Sequence, residues 1–172
     1  MTWPEQNLNG SSAMARPLGV LMVCLGNICR SPMGEGALRA RLQEAGLQER
    51  VLVDSAAIGQ SHIGHAPDER AIACAARHGI DIAHQRARAL VSEDFDNFDY
   101  ILCADRGILH EVRIRKPRTS HSDVELLMEW SGGGEKDVPD PYCGDRRDFE
   151  RAFKLVDAAA QGVVERIHQG RF

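Results

Sequence analysis

At 172 residues, 43% of them apolar, the chain suits one compact domain with a genuine hydrophobic core. A formal net charge of −4 and an aromatic content of 5% argue against a general nucleic-acid or anionic-membrane binder, and no apolar run approaches the ~20 residues that span a bilayer. Five cysteines, an odd number, with no basic and apolar leader before them, point away from a disulfide framework and toward a reducing cytoplasm.

Residues 1–16 are polar and read as a flexible tail, with Met14 as an alternative start; residues 17–172 then form the single domain. Gly19-Val20-Leu21-Met22-Val23 reads as a buried parallel strand. After a Gly/Asn-containing loop, Ser31 reads as a helix N-cap and Pro32 as a first-turn residue of a helix over 32–45, stopped by Gly46. A short strand is expected at 51–53. A helix opens at Ala66-Pro67-Asp68 and runs to His78, with Gly79 just past its end. Residues 80–91 read as loop with a little strand, and Ser92-Glu93-Asp94 opens a short helix. Tyr100-Ile101-Leu102-Cys103 is the next buried strand. A partly helical stretch at 106–118 and a last strand at 123–128 follow. A Gly-, Pro- and Asp-rich loop at 131–144 precedes a long C-terminal helix, in which Phe149, Ala152, Phe153, Val156, Ala159, Ala160, Val163, Val164 and Ile167 share one face. Alternating strands and helices define an α/β fold with a mainly parallel sheet.

The segment Cys24-Leu25-Gly26-Asn27-Ile28-Cys29-Arg30-Ser31 carries the chemistry. As a bare pattern, a cysteine followed five residues later by an arginine is weak. Its setting is specific: the cysteine ends a buried strand, and Arg30 and Ser31 open a helix. Gly26 and Asn27 suit left-handed backbone that turns successive N–H groups inward, and a helix N-terminus adds its dipole, so the loop is built to cradle an anion. A helix start and a nearby arginine favour the thiolate of a cysteine placed between them. Phosphoryl transfer needs an in-line nucleophile and neutralisation of three equatorial oxygens. The loop N–H groups and the forked Arg30 guanidinium supply this without a metal, and Ser31 donates to the sulfur.

In these residues the sequence resembles the low-molecular-weight protein tyrosine phosphatase family. The resemblance covers about residues 19–153 and rests on VCLGNICRSP, then Asp54-Ser55-Ala56, Gly79-Ile80 with His84, Tyr100-Ile101-Leu102-Cys103 with Asp105, and Asp140-Pro141-Tyr142, in that order. It implies a four-stranded sheet flanked by helices, a phosphate-binding loop after the first strand and no cofactor. It further implies Cys24 as nucleophile, Arg30 as phosphate clamp and Asp140 as general acid. Leu25, Gly26, Asn27, Ile28, Cys29, Ser31 and Tyr142 then bind phosphate or substrate, and Ser55, His84 and Asp105 support the site. Implied partners are phosphotyrosine proteins and, in a host that makes capsule or exopolysaccharide, a tyrosine autokinase; nucleic acid and membrane are not expected. An aromatic wall residue of the family falls near Ser61-His62 here, and Cys143 follows Tyr142 where a second aromatic is common.

Two other activities share this fold. Arsenate reduction passes a disulfide to two further cysteines; Cys103 suits the first, but His110 stands where the second is expected. Protein arginine phosphatases resemble this loop with Thr at the place of Ile28, whose bulk crowds a planar guanidinium. Cys29 reads equally as packing or as a trap for oxidised Cys24. Cys74 and His78 lie four apart on one helix, a spacing that suits a metal, but no further ligand pair is evident in the sequence.

Overall fold

The computed structural model describes residues 16–133 and 137–172. Apart from Arg16, whose guanidinium pairs with Asp99 at 2.5 Å, the expected tail falls outside the described residues. Strand β1 (Leu18–Cys24) leads through helix α1 (Arg30–Glu44) to β2 (Val51–Ala57). Helices α2 (Glu69–Arg77) and α3 (Asp94–Asn97) precede β3 (Tyr100–Cys103). Helix α4 (Arg106–Arg115), β4 (Asp123–Leu126), the single turn α5 (Leu127–Trp130) and the long α6 (Arg146–His168) complete the chain.

The four strands lie in the order β2-β1-β3-β4 and every pairing is parallel. Such a sheet must be covered on both faces, and it is. Val20 and Met22 of β1 face a core with α1, α2 and α6, whereas Leu21 and Val23 face a second core with Phe95, Phe98, Ile108 and Val112. Every apolar position expected on the inner face of the C-terminal helix is buried in α6. The fit between α1 and the sheet is tight: a Cβ on Gly34 would lie 2.5 Å from the Met22 sulfur.

The topology positions the site. From β1 the chain steps to β2 on one side, then returns to place β3 on the other. The loops leaving β1 and β3 therefore diverge and open a crevice at the carboxyl edge of the sheet, the ordinary ligand position in doubly wound folds.

Three local expectations need correction. Ser31 is not an N-cap: α1 starts at Arg30, the cap position is Cys29, and no side chain caps the helix. β2 runs on to Ala57, because its whole length pairs with β1. The last strand ends at Leu126, and Leu127, Met128 and Trp130 turn into α5, buried against the α6 side of the sheet. A short apolar run does not itself distinguish a strand from a buried turn of helix.

Candidate active site

Residues 25–29 curl between the end of β1 and the first turn of α1. Asn27 supplies the left-handed residue, with φ of 55°; Gly26, expected to share that role, stays outside the positive-φ region. The carbonyls of Cys24, Leu25 and Ile28 accept from the backbone N–H groups of Ile58, Gly59 and Asp68, at 3.1, 2.9 and 2.8 Å. These bonds tie the carbonyls to neighbouring loops. Among the described residues, the N–H groups of Gly26, Asn27, Ile28 and Cys29 donate to no protein acceptor. With the uncapped start of α1, they form a concave set of donors suited to an anion.

A chain of polar side chains, buried from Glu35 inward, stands behind the loop. Arg39 donates to Glu35 at 2.9 Å, and the Ser55 hydroxyl donates to the other Glu35 oxygen at 2.6 Å. The Asn27 amide then donates to Ser55 at 2.9 Å and to Ser31 at 2.8 Å, while its oxygen accepts from the Arg88 N–H at 3.0 Å. Ser31 lies 3.0 Å from the Cys24 sulfur. The directions follow from the donor inventory. A carboxylate only accepts, so Ser55 must donate to it, and the Asn27 amide must donate to both hydroxyls. The Ser31 hydrogen is thereby left to point at Cys24.

Glu35 was not legible as part of the site in the sequence. The first nine residues of α1 are all buried, so the helix lacks an amphipathic stripe against which an inward carboxylate would stand out. Its place follows from the pairing of Ser55 with Met22, which turns Ser55 toward the α1 face. Replacing Glu35 by Leu removes the acceptor that directs Ser55. It is expected to lower kcat roughly 5–10-fold, the worth of one hydrogen bond, with KM little changed. Glu35→Gln, which retains an acceptor, should recover most of the loss. If both variants merely melt earlier and turn over alike, Glu35 is structural.

Arg30 is buried and held from two sides. Its Nη1 donates to Asp105 at 2.6 Å and to the Val138 carbonyl at 3.0 Å, and its Nη2 approaches Asp140 at 3.4 Å. Burial opposes the guanidinium charge, but Cys24, Asp105 and Asp140 outweigh it and raise its proton affinity. Asp105 also caps α4 through Ile108, so Arg30 is braced against a rigid helix end. The loop bearing Asp140 is pinned to the end of β3 by the Val138 N–H donating to Ala104 at 2.8 Å. Asp140 itself is 43% exposed, with one oxygen accepting from the Tyr142 N–H at 3.1 Å.

Cys24, Leu25, Gly26, Ile28, Cys29 and Arg30 line a pocket of about 200 Å³ with Gly59, Ser61, His62, Asp140 and Tyr142. Asn27 and Ser31 stand behind this wall rather than in it. At the mouth, the His62 and Tyr142 rings are 6.1 Å apart and tilted by 56°, so the wall position near Ser61-His62 is filled by an imidazole. His84 is exposed and makes no hydrogen bond to the loop; the Arg88 N–H bonds Asn27 instead. Burial, aided by Asp68 and Cys24, pushes the Cys29 thiol far up, keeping it protonated. Cys103 is fully buried on β3, its thiol pushed up to about 12 by burial.

This doubly wound sheet, with a cysteine-headed anion loop at its switch point, has close counterparts. The sequence model of the low molecular weight phosphotyrosine protein phosphatases matches residues 19–171. A human protein of that name is 38% identical over 151 residues, covering 87% of this chain and 95% of the human one. A low molecular weight protein-tyrosine-phosphatase of Streptomyces coelicolor is 39% identical over 154 residues, covering 87% and 93%. The crystal structure of a protein tyrosine phosphatase from Entamoeba histolytica superposes with a TM-score of 0.85 at 30% identity, covering 90% of this chain and 99% of that one. The chain belongs to the low molecular weight phosphotyrosine protein phosphatase family. Among the described residues, no helix is long and apolar enough to cross a membrane.

Proposed function

We propose that this chain hydrolyses phosphotyrosine in proteins through a cysteinyl-phosphate intermediate. The observation that carries this reading is the convergence on one pocket of the Cys24 sulfur, facing the Ser31 hydroxyl, with Arg30 and Asp140. The thiolate of Cys24 attacks phosphorus, and the bond to the aryl oxygen breaks as Asp140 gives that oxygen its proton. Arg30 and the loop N–H groups hold the three equatorial oxygens throughout. Asp140 then takes a proton from water as the water attacks the phosphocysteine, releasing inorganic phosphate and the thiolate. The Ser31 hydroxyl stabilises the sulfur as it leaves.

The pocket geometry also supports an aryl phosphate over the alternatives. Ile28 lines the pocket and narrows it against a phosphoguanidinium. Arsenate reduction needs a second relay cysteine beyond Cys103, and His110 stands at the place where it is expected. Initial rates on phosphotyrosine, phosphoserine and phosphoarginine peptides, and on arsenate with thioredoxin, are expected to favour phosphotyrosine. A higher rate on any of the others would overturn the assignment. Cellular partners in this reading are phosphotyrosine proteins of the cytoplasm, a tyrosine autokinase among them where the host makes exopolysaccharide.

The same loop supports reversible oxidation. Peroxide converts the Cys24 thiolate to a sulfenic acid with release of hydroxide, and the Cys29 thiol condenses with it to a disulfide, releasing water. Peroxide-treated enzyme is expected to regain activity with a thiol reductant, and Cys29→Ser to recover far less. Peptide mapping that finds Cys24 linked only to Cys74 or Cys143 would refute this pairing.

A further inference from the structure

Away from the pocket, α2 and α6 bring three ligand-type side chains together. Cys74 lies in α2, and His78, one turn on, caps its C-terminal end. Glu150 comes from the beginning of α6. Their ligand atoms lie within 4.8 Å of one another, so the third ligand that spacing along α2 did not reveal is supplied by a helix more than 70 residues away. We propose that Cys74, His78 and Glu150 form a Zn²⁺ site that clamps α2 to α6.

The donor set is a thiolate sulfur, an imidazole nitrogen and a carboxylate oxygen, which suits a borderline divalent ion with water in the fourth position. The two Glu150 oxygens are already divided. Oε1 accepts from Arg77 at 2.6 Å, while Oε2 faces His78 Nε2 at 2.8 Å. Arg77 thus orients the carboxylate from behind and leaves Oε2 for the metal, the arrangement usual around ligating carboxylates. The His78 ring is held by stacking on Phe153, 4.2 Å between centroids and 14° between planes. Tetrahedral zinc separates such ligand atoms by roughly 3.3–3.6 Å. The His78–Glu150 pair must therefore open by several tenths of an ångström and Cys74 must draw in, within the reach of side-chain rotation.

Entry is from the surface, where the side chains of His78 and Glu150 are 35% and 25% exposed; Cys74 forms the buried floor. Binding requires the Cys74 thiolate, so the thiol proton passes to solvent as the zinc–sulfur bond forms. The clamp also touches the catalytic half of the molecule. The α2 N-cap residue Asp68 holds the Ile28 carbonyl, and α6 begins directly after the Asp140 loop.

The test uses tag-free, full-length Cys24→Ser/Cys143→Ser protein, from which the pocket thiol and the exposed thiol have been removed. Cobalt(II) is the spectroscopic probe and zinc the competitor. The expected result is one Co²⁺ per chain, with a near-ultraviolet thiolate-to-cobalt band that zinc abolishes and a raised melting temperature. Adding Cys74→Ser, His78→Ala or Glu150→Gln should remove the band and the thermal shift. Folding of the His78→Ala and Glu150→Gln chains is verified by phosphatase activity in the Cys24-containing protein. Absence of a band in the double-serine protein overturns the site, as does a band that survives Cys74→Ser or survives both His78→Ala and Glu150→Gln.

Discussion

Cys24→Ser protein is expected to lose turnover by about 10⁴-fold or more while still binding inorganic phosphate, because removing the nucleophile eliminates the covalent route but leaves the cradle intact. The loop carbonyls of Cys24, Leu25 and Ile28 keep their outward hydrogen bonds in that variant, and Arg30 keeps Asp105 and Val138. Calorimetric titration with phosphate therefore separates the two effects. Arg30→Lys tests the other half of the cradle. An ammonium cannot span two phosphate oxygens while also meeting Asp105 and the Val138 carbonyl, and loss of a preorganised donor of this kind costs about 10²–10³-fold in kcat. It should also weaken phosphate binding, which Cys24→Ser should not. Substantial turnover by the serine variant would sink the covalent mechanism.

Asp140→Ala should slow an unactivated aryl phosphate by about 10²–10⁴-fold, the range of general acid catalysis. The loss should shrink as the leaving group becomes a stable anion that departs without a proton. The measurement is the ratio of mutant to parent kcat/KM across phenyl phosphates of graded leaving-group acidity. Asp140 is the exposed carboxylate at the pocket; Asp105 is committed to Arg30 and to the α4 cap, and Asp137 accepts from the Arg106 N–H at 3.2 Å. A flat ratio across the series would reduce Asp140 to a structural contact of Arg30 and move the proton donor elsewhere.

The backbone of the phosphate loop was legible because its instructions are local. A buried apolar strand, an Asn able to adopt a left-handed turn and a helix start are all encoded within residues 19–32, and the chemistry of a thiol and a guanidinium depends on that short path. The burial pattern of α6 was likewise legible, since helical periodicity places its nine inner residues without reference to any partner. Asp140 was assigned only through a resemblance, because nothing in a proline-flanked aspartate states which loop it will meet. That meeting depends on β3 lying beside β1, with the Val138 N–H hooked to Ala104.

What tertiary structure alone decided is the choice of side-chain partners. Ser55 reaches Glu35 because parallel register puts it on the α1 face of the sheet. Asn27 takes the Arg88 N–H because residues 87–90 run beside the end of β2, where Ala57 and Ala89 form a bridge, while His84 faces solvent. Cys74 and His78 meet Glu150 because α2 and α6 cover the same face. Residue type and spacing determine local backbone and which face is apolar. The polar contacts that direct a hydrogen toward Cys24 arise only when separate elements are packed, since a buried donor must find whatever acceptor the fold brings within reach.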